Sequence, residues 1–165
     1  KQVRLYSQKN SNFAPAMQCK SPLLICPKDV ASAGKNLEIH LQDAFFADLE
    51  QEEIKGGDLK VVLSVKNTAP DYFDVKLSAE GSVVTLCDRC LEDLQLETKV
   101  EETLKVKDGE WAESDDPETL CTEANGKIDL SWSTYELIFT SLPGKKTHSI
   151  EECNTEAVKF IAGEI

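Results

Sequence analysis

Residues 81–100 read GSVVTLCDRCLEDLQLETKV, two runs of alternating apolar and polar residues on either side of a cysteine pair. Successive side chains of a β-strand point to opposite faces, so this alternation predicts strands with one buried and one solvent-facing side. Cys87-Asp88-Arg89-Cys90 interrupts the alternation. The stretch therefore predicts an antiparallel β-hairpin with two thiols at its tip.

The same period of two continues upstream. Alternating segments at 37–42, 59–66 and 73–80 predict further strands of one antiparallel sheet. Gly56-Gly57-Asp58 is interpreted as a turn, and Gly81 as a bend or bulge within a strand. The centre of the chain is therefore predicted to be mainly β.

Two helices are predicted around this sheet. Asp43 is a candidate N-cap for a short helix that ends at Leu49 and buries Phe45 and Phe46. The second helix is the stronger prediction, since Ser133 and Glu136 have the spacing of a capping box. Its expected core-facing stripe consists of Trp132, Tyr135, Phe139 and Leu142, and it ends before Pro143-Gly144.

These elements predict a mainly β domain of the α+β class. The expected architecture is an antiparallel sheet, which could curl toward a barrel, with a C-terminal helix packed on it. Residues 1–22 lack sustained periodicity and are interpreted as an irregular basic arm, and residues 23–165 as a single domain. The acidic segment 107–126 is interpreted as a loop.

The net charge of -12 is unevenly distributed along the chain. Residues 1–36 carry six basic and one acidic side chain, whereas the remainder carries 12 basic and 29 acidic ones. The acidic body argues against a broad nucleic-acid-binding face, because phosphate backbones require clustered lysine and arginine. The arm, with Lys1, Arg4 and Lys9, could contact RNA or could be a solvated tail.

The cysteine pair has the spacing of two metal ligands on a tight turn. Tetrahedral zinc requires four ligands, and His148 and Cys153, beyond the second helix, are candidates for the other two. Cys87, Cys90, His148 and Cys153 therefore form a predicted zinc site. The alternative is a pair of reduced structural thiols without a metal.

No catalytic site is predicted, because the chain has no nucleophile motif and no glycine-rich phosphate loop. A thiol-disulfide oxidoreductase that uses Cys87 and Cys90 is one alternative function. In thioredoxin-like proteins, however, the pair opens a helix, and here the acidic Glu92 and Asp93 would disfavour a thiolate. A structural zinc protein that acts as a protein–protein adaptor is another alternative.

The composition also bears on location. No apolar run approaches the ~20 residues of a membrane helix, so no membrane association is expected. Six unevenly spaced cysteines do not resemble a secreted disulfide framework, which favours a reducing compartment such as the cytoplasm. The first 20 residues lack acids, as organelle transit peptides do, and the stroma or matrix is therefore the alternative.

The motifs resemble one family. The stretch from Gly81 through Cys87-Asp88-Arg89-Cys90-Leu91-Glu92 is similar to the signature of the YceD family of bacterial and plastid proteins. The order of the remaining parts also fits, from the acidic loop and Ile128-Asp129-Leu130 to the segment 148–153. The resemblance covers about residues 37–153, and its upstream part, with Phe45-Phe46, resembles members from the Bacteroidetes in particular.

The resemblance implies a non-enzymatic role in accumulation of large-subunit ribosomal RNA. The partner would be that RNA or a ribosomal protein, bound directly or indirectly, and no small-molecule substrate is expected. The family's marked positions fall on Cys87, Arg89, Cys90 and Leu91, and more loosely on Asp129 and Leu130. Many members end in a richer, zinc-ribbon-like cysteine cluster, of which this chain keeps His148 and Cys153. Arg89 at the hairpin tip, or the arm, is the expected contact, since a guanidinium suits phosphate. For Arg89 the alternative is an ion pair with Glu92 or Asp93.

Overall fold

The structure, a computed structural model, describes residues 21–163, with Ala162 described in its backbone only. Lys1, Arg4 and Lys9 of the predicted arm lie outside the described residues. In chain order, the elements are β1 (Leu24–Ile25), α1 (Pro27–Ala33), β2 (Leu37–Leu41), α2 (Asp43–Asp48), β3 (Gly56–Ala69), β4 (Tyr72–Leu86), β5 (Asp93–Lys107), β6 (Leu120–Cys121), β7 (Ile128–Asp129), α3 (Ser131–Ser141) and α4 (Thr155–Ala162).

Three long antiparallel strands form the centre of the fold. β3 pairs with β4 along nearly its whole length, and β4 pairs with β5 from Tyr72↔Lys107 to Leu86↔Asp93. β2 adds to the outer edge of β3, and β6 adds parallel to β5, so the sheet order is β2-β3-β4-β5-β6. Within residues 21–163 this sheet is open, and a separate two-stranded sheet joins β1 to β7.

One face of the sheet carries the core. Its fully buried side chains alternate along β3 and β4, and they are Leu59, Val61, Leu63, Val75, Leu77, Ala79 and Val83. α1, α2 and α3 pack against the sheet and contribute further buried residues, among them Phe46 and Ile138. Each fully buried leucine, isoleucine or phenylalanine stabilises the fold by about 1.5–3 kcal/mol. The predicted α+β class, mainly β with a C-terminal helix packed on the sheet, is confirmed.

Two glycine predictions differ from the structure. Gly56 and Gly57 lie within β3 instead of in a turn. A Cβ atom on Gly57 would lie 2.6 Å from the backbone oxygen of Ser82, so this glycine permits close approach of β3 to β4. The register passes Gly81 without a shift, and the irregularity lies between Asn67 and Ala69.

The predicted helix starts are also corrected. α2 follows the N-cap Gln42, and the Asp43 carboxylate accepts a hydrogen bond from the backbone N–H of Gly57, 2.9 Å away, instead of capping the helix. α3 starts at Ser131, two residues before the predicted cap Ser133, so the capping box does not form. The Asp129 carboxylate accepts from the backbone N–H of Ser131 at 2.9 Å and serves that end of the helix.

The core-facing side of α3 differs by one position from the prediction. Tyr135 is buried, and Trp132 and Leu142 pack against the core as expected. Phe139, however, is 37% exposed, and Ile138 is fully buried in its place.

The helices α1 and α4 and the strand β6 were not predicted. α1 begins with Pro27 at a favoured first-turn position and ends before Gly34 in the left-handed region (φ +62°). α4 is capped by Asn154, whose side chain accepts from the backbone N–H of Glu156. β6 lies inside the predicted loop 107–126. Among the described residues, no helix has the length and apolar character required to cross a membrane.

Candidate metal centre

The turn between β4 and β5 places two thiols at the hairpin tip. The backbone N–H of Cys87 donates to the Glu92 carbonyl at 2.8 Å, and the N–H of Leu91 donates to the Cys87 carbonyl at 2.9 Å. Leu91 closes the turn in the left-handed region (φ +59°), which a residue with a Cβ atom adopts at a cost of about 1–2 kcal/mol. The loop thereby folds back on Cys87, as two ligands on one tight turn require.

The chain returns to this tip after α3. The backbone N–H of Lys146 donates to the Asp88 carboxylate at 2.7 Å, and the N–H of Asp88 donates to the Lys146 carbonyl at 2.6 Å. On the far side, the Asn154 amide donates to the Glu92 carboxylate at 2.8 Å. α3 packs across β5, so residues 146–154 reach the hairpin although they are distant from it in sequence.

The four predicted zinc ligands meet at this point. Their donor atoms, one from each of Cys87, Cys90, His148 and Cys153, all lie within 4.8 Å of one another, and we call them the Cys/His cluster. The Cys87 and Cys153 sulfurs are 3.8 Å apart, and His148 Nδ1 lies 3.4 Å from the Cys90 sulfur and 3.9 Å from that of Cys153. With zinc–sulfur bonds of about 2.3 Å, a tetrahedral ion separates its sulfur ligands by about 3.8 Å.

A backbone carbonyl determines which imidazole nitrogen faces the thiols. Nε2 of His148 lies 2.9 Å from the backbone oxygen of Asp93, which can only accept a hydrogen bond. Nε2 therefore carries a proton, and Nδ1 faces the sulfurs. The Asp93 carbonyl and then Cys90 raise the pKa of His148 to about 8, so a metal ion that binds Nδ1 at neutral pH would displace a proton from it. Metal-bound histidines are oriented by such a second hydrogen bond.

Backbone amides stabilise negative charge on two of the sulfurs. Burial by itself raises the pKa of the Cys87 thiol, but hydrogen bonds from backbone N–H groups, first those of Cys90 and His148, bring it to about 6. One further donor is the N–H of Arg89, 3.4 Å from the Cys87 sulfur. The backbone N–H of Asn154 lowers the pKa of Cys90 in the same way. These amides favour the thiolate form, which is the form that binds metals. The expectation that Glu92 and Asp93 disfavour a thiolate is therefore wrong, because the backbone hydrogen bonds determine the pKa values here.

Arg89 extends its side chain over the third sulfur. Burial raises the pKa of Cys153, and Arg89 Nη1 lies 3.7 Å from its sulfur. A divalent ion with three thiolates carries one net negative charge, which the guanidinium is placed to offset. The carboxylates considered as ion-pair partners of Arg89 are engaged elsewhere: Asp93 with Lys55, and Glu92 with Asn154.

Apolar packing at this end of the molecule is limited. The buried residues of the local apolar cluster are Cys87, Leu94 and Cys153, and the partly buried Leu96 packs against both this cluster and the main core. Far from the cluster, the Asp115 carboxylate accepts hydrogen bonds from Tyr72 and Lys107 and so holds the acidic loop in place. The sequence analysis did not single out Asp115. The chemistry of the cluster, three thiols and one oriented imidazole, fits a soft or borderline divalent cation such as zinc.

The cluster does not have the layout of a thioredoxin-like redox site. Cys87 lies at the end of β4 in a hairpin turn and does not open a helix. Its side chain has no exposed surface, whereas thiol-disulfide exchange requires access to the attacking sulfur.

Comparison with known proteins agrees with the resemblance noted from the sequence. No curated protein and no solved structure matches the chain. The family model described as "Large ribosomal RNA subunit accumulation protein YceD" matches residues 75–164. The match starts in β4, downstream of the residues 37–49 that the resemblance included, and continues through α4. Because the matched residues make up more than half of the sequence and contain the entire Cys/His cluster, the chain belongs to the YceD family.

Proposed function

We propose that this protein is a non-enzymatic factor that supports accumulation of large-subunit ribosomal RNA, and that zinc bound by the Cys/His cluster holds its hairpin tip in shape. The family description supplies the pathway. The observation that carries the metal is the convergence of four donor atoms within 4.8 Å. The ribosomal role is proposed for the reducing cytoplasm, where unpaired thiols persist.

A structural role for the ion follows from the ligand count. Catalytic zinc keeps a position open for water or substrate, whereas four protein ligands close the coordination shell. Cys87 and Cys90 come from the β4–β5 turn, and His148 and Cys153 from the segment between α3 and α4. The ion would therefore join two segments that otherwise meet through a small apolar cluster and through the hydrogen bonds of Asp88 with Lys146 and of Glu92 with Asn154. The chemistry that zinc supplies here is cross-linking, as a disulfide would in an oxidising compartment.

A zinc ion bound by the Cys/His cluster would fix the shape of the hairpin-tip surface, and a binding factor requires such a surface. Its partner would be large-subunit ribosomal RNA or a ribosomal protein. Contacts through Arg89 and through Lys1, Arg4 and Lys9 stay predictions of the sequence analysis.

The test is the ratio of large- to small-subunit ribosomal RNA in cells with and without the gene. We expect the ratio to fall without the gene and to be restored by the intact gene. A gene with Cys87→Ser and Cys90→Ser should fail to restore it, because two of the four ligands are lost.

Cys26→Ser with Cys121→Ser is the matched control, since both are free, partly buried cysteines outside the cluster. That control should restore the ratio. An unchanged ratio without the gene would contradict the ribosomal role. Full rescue by the Cys87/Cys90 variant would contradict the part assigned to the cluster.

A further inference from the structure

One cleft among the described residues lies away from the Cys/His cluster, at the edge of the sheet. β2 pairs with β3 only from Leu59 to Leu63, so β3 continues beyond it from Ser64 with no strand of residues 21–163 on that side. α1 and the loop after it lie against this free edge. Between them is a cleft of about 700 Å³.

The lining of this cleft is basic, although the protein is acidic. Lys28 on α1, Lys35 in the following loop and Lys66 on β3 are lining residues, and the lining contains no aspartate or glutamate. Neutral hydrogen-bonding side chains complete it, among them Asn36 and Asn67. In a chain with a net charge of -12, three lysines from three different elements are brought together here.

Two of these three lysines form no ion pair with another described residue. Lys28 pairs with Asp71 and Asp108. Lys35 and Lys66 form no ion pair within the described part of the chain, although Asp74 lies opposite Lys66 in the sheet register. Other lysines on the sheet do form ion pairs, and these pairs are Lys60–Glu38, Lys76–Glu101 and Lys99–Glu80.

We propose that this cleft binds the phosphate backbone of RNA, with Lys35 and Lys66 as the principal contacts. The inference rests on the proposed ribosomal function and names its RNA-binding site. Ammonium groups bind phosphate oxygens, and amide and hydroxyl groups add hydrogen bonds that position the backbone without reading its bases. An acidic body can bind RNA in this way if the contact is confined to one basic cleft.

The free edge of β3 could in principle also receive a peptide strand. Strand addition gains specificity from open apolar pockets for alternate side chains. The large apolar lining residues here, Val65 and Phe73, are buried in the core, whereas the lysines are exposed. The lining therefore favours phosphate.

The test is binding of the purified protein to a short single-stranded oligouridylate over a range of salt concentrations. Lys35→Ala with Lys66→Ala should lower the salt dependence of log K by about 1.4, since each phosphate contact on a single strand contributes about 0.7. At ~0.1 M salt this corresponds to a loss of about 25-fold in affinity relative to a 1 M reference. Both side chains are exposed, so the variant should fold.

Lys127→Ala with Lys159→Ala changes the net charge equally and removes two exposed lysines that lie outside the cleft. This control should bind like the wild type. Equal affinities of both variants, or no binding of oligouridylate by the wild type, would overturn the inference. Binding of a polyglutamate peptide without RNA binding would also overturn it.

The ribosomal RNA ratio in cells is measured independently of this binding. If deletion of the gene lowers the ratio but the Lys35/Lys66 variant binds oligouridylate normally, the proposed RNA-binding cleft is contradicted and the proposed function is not. An unchanged ratio on deletion contradicts the proposed function.

Discussion

Nε2 of His148 lies 2.9 Å from the backbone oxygen of Asp93, the first residue of β5. This hydrogen bond assigns a ring proton to Nε2 and turns Nδ1 toward three sulfurs. It joins the strand that leaves the hairpin tip to the segment that returns after α3. A backbone group of the sheet therefore fixes the orientation of the fourth ligand, His148.

Arg89 is expected to tune the metal affinity through its contact with Cys153. Arg89→Ala should lower the affinity for zinc by about tenfold, the lower end of the effect of changing a group next to a metal ligand, and leave the fold intact. Competition with a chromogenic chelator measures this. Arg89→Lys, which keeps the charge, should have a zinc affinity between those of the wild type and Arg89→Ala. Unchanged zinc affinity in Arg89→Ala would argue against this role.

Arg89→Ala should also reduce association with ribosomal particles if the sequence-based contact prediction holds. Co-sedimentation at saturating zinc separates the two effects, because the metal site is then filled in both proteins. Unchanged co-sedimentation would remove Arg89 from the contact surface.

Leu91 stores backbone strain at the hairpin tip. It adopts φ +59° with a side chain that is 71% exposed, so it has little packing to offset the strain. Leu91→Gly should raise the free energy of unfolding by about 0.5 kcal/mol, because relief of about 1–2 kcal/mol is partly cancelled by the greater freedom of glycine in the unfolded chain. Urea unfolding of the protein measures the change.

Leu86→Gly is the contrasting variant. Leu86 is also partly exposed, but it lies in β4 and its φ is not in the left-handed region. Glycine there should lower the free energy of unfolding by about 0.5–1 kcal/mol. The same sign for both variants would contradict the assignment of strain to Leu91.

Asp115 is expected to make stability depend on acidic pH. Its carboxylate accepts hydrogen bonds from Lys107, Tyr72 and the backbone N–H of Ala112, and the side chain is 2% exposed. Hydrogen bonds from Lys107 and then Tyr72 lower its pKa to about 2. An unfolded aspartate titrates near ~3.9, so this stabilisation is present above pH ~4 and is lost as the pH falls toward about 2.

Asp115→Asn should therefore lose less stability than the wild type between pH ~5 and pH ~2, measured by thermal unfolding at each pH. Asp48→Asn, an exposed carboxylate at the end of α2, should follow the wild-type pH profile. If the stability of Asp115→Asn changes with pH in parallel with that of the wild type, this carboxyl does not govern the acid transition.

The strands could be predicted because alternation is a local signal. The Gly56–Gly57 prediction was wrong because glycine serves both turns and close strand contacts, and only the partner strand distinguishes them. The start of α3 was predicted three residues too late because Ser133 and Glu136 satisfy a capping pattern that the Asp129 carboxylate makes unnecessary. α4, which has eight residues, was not predicted because Asn154 was not interpreted as its N-cap.

The candidate ligands could also be named from the sequence, because Cys and His are rare and their chemistry is specific. The contacts around them could not be predicted. The Asp93 carbonyl that orients His148 is a group that every residue carries. The cleft lysines come from α1, a loop and β3, and only the fold brings them together.

The metal content of the purified protein tests the Cys/His cluster most directly. Elemental analysis under reducing conditions should find about one zinc per chain in the wild type and in His40→Ala, whose imidazole pairs with Asp58 elsewhere on the sheet. His148→Ala should lose most of it. Zinc near zero in the wild type, or equal zinc in His148→Ala and the wild type, would contradict the account.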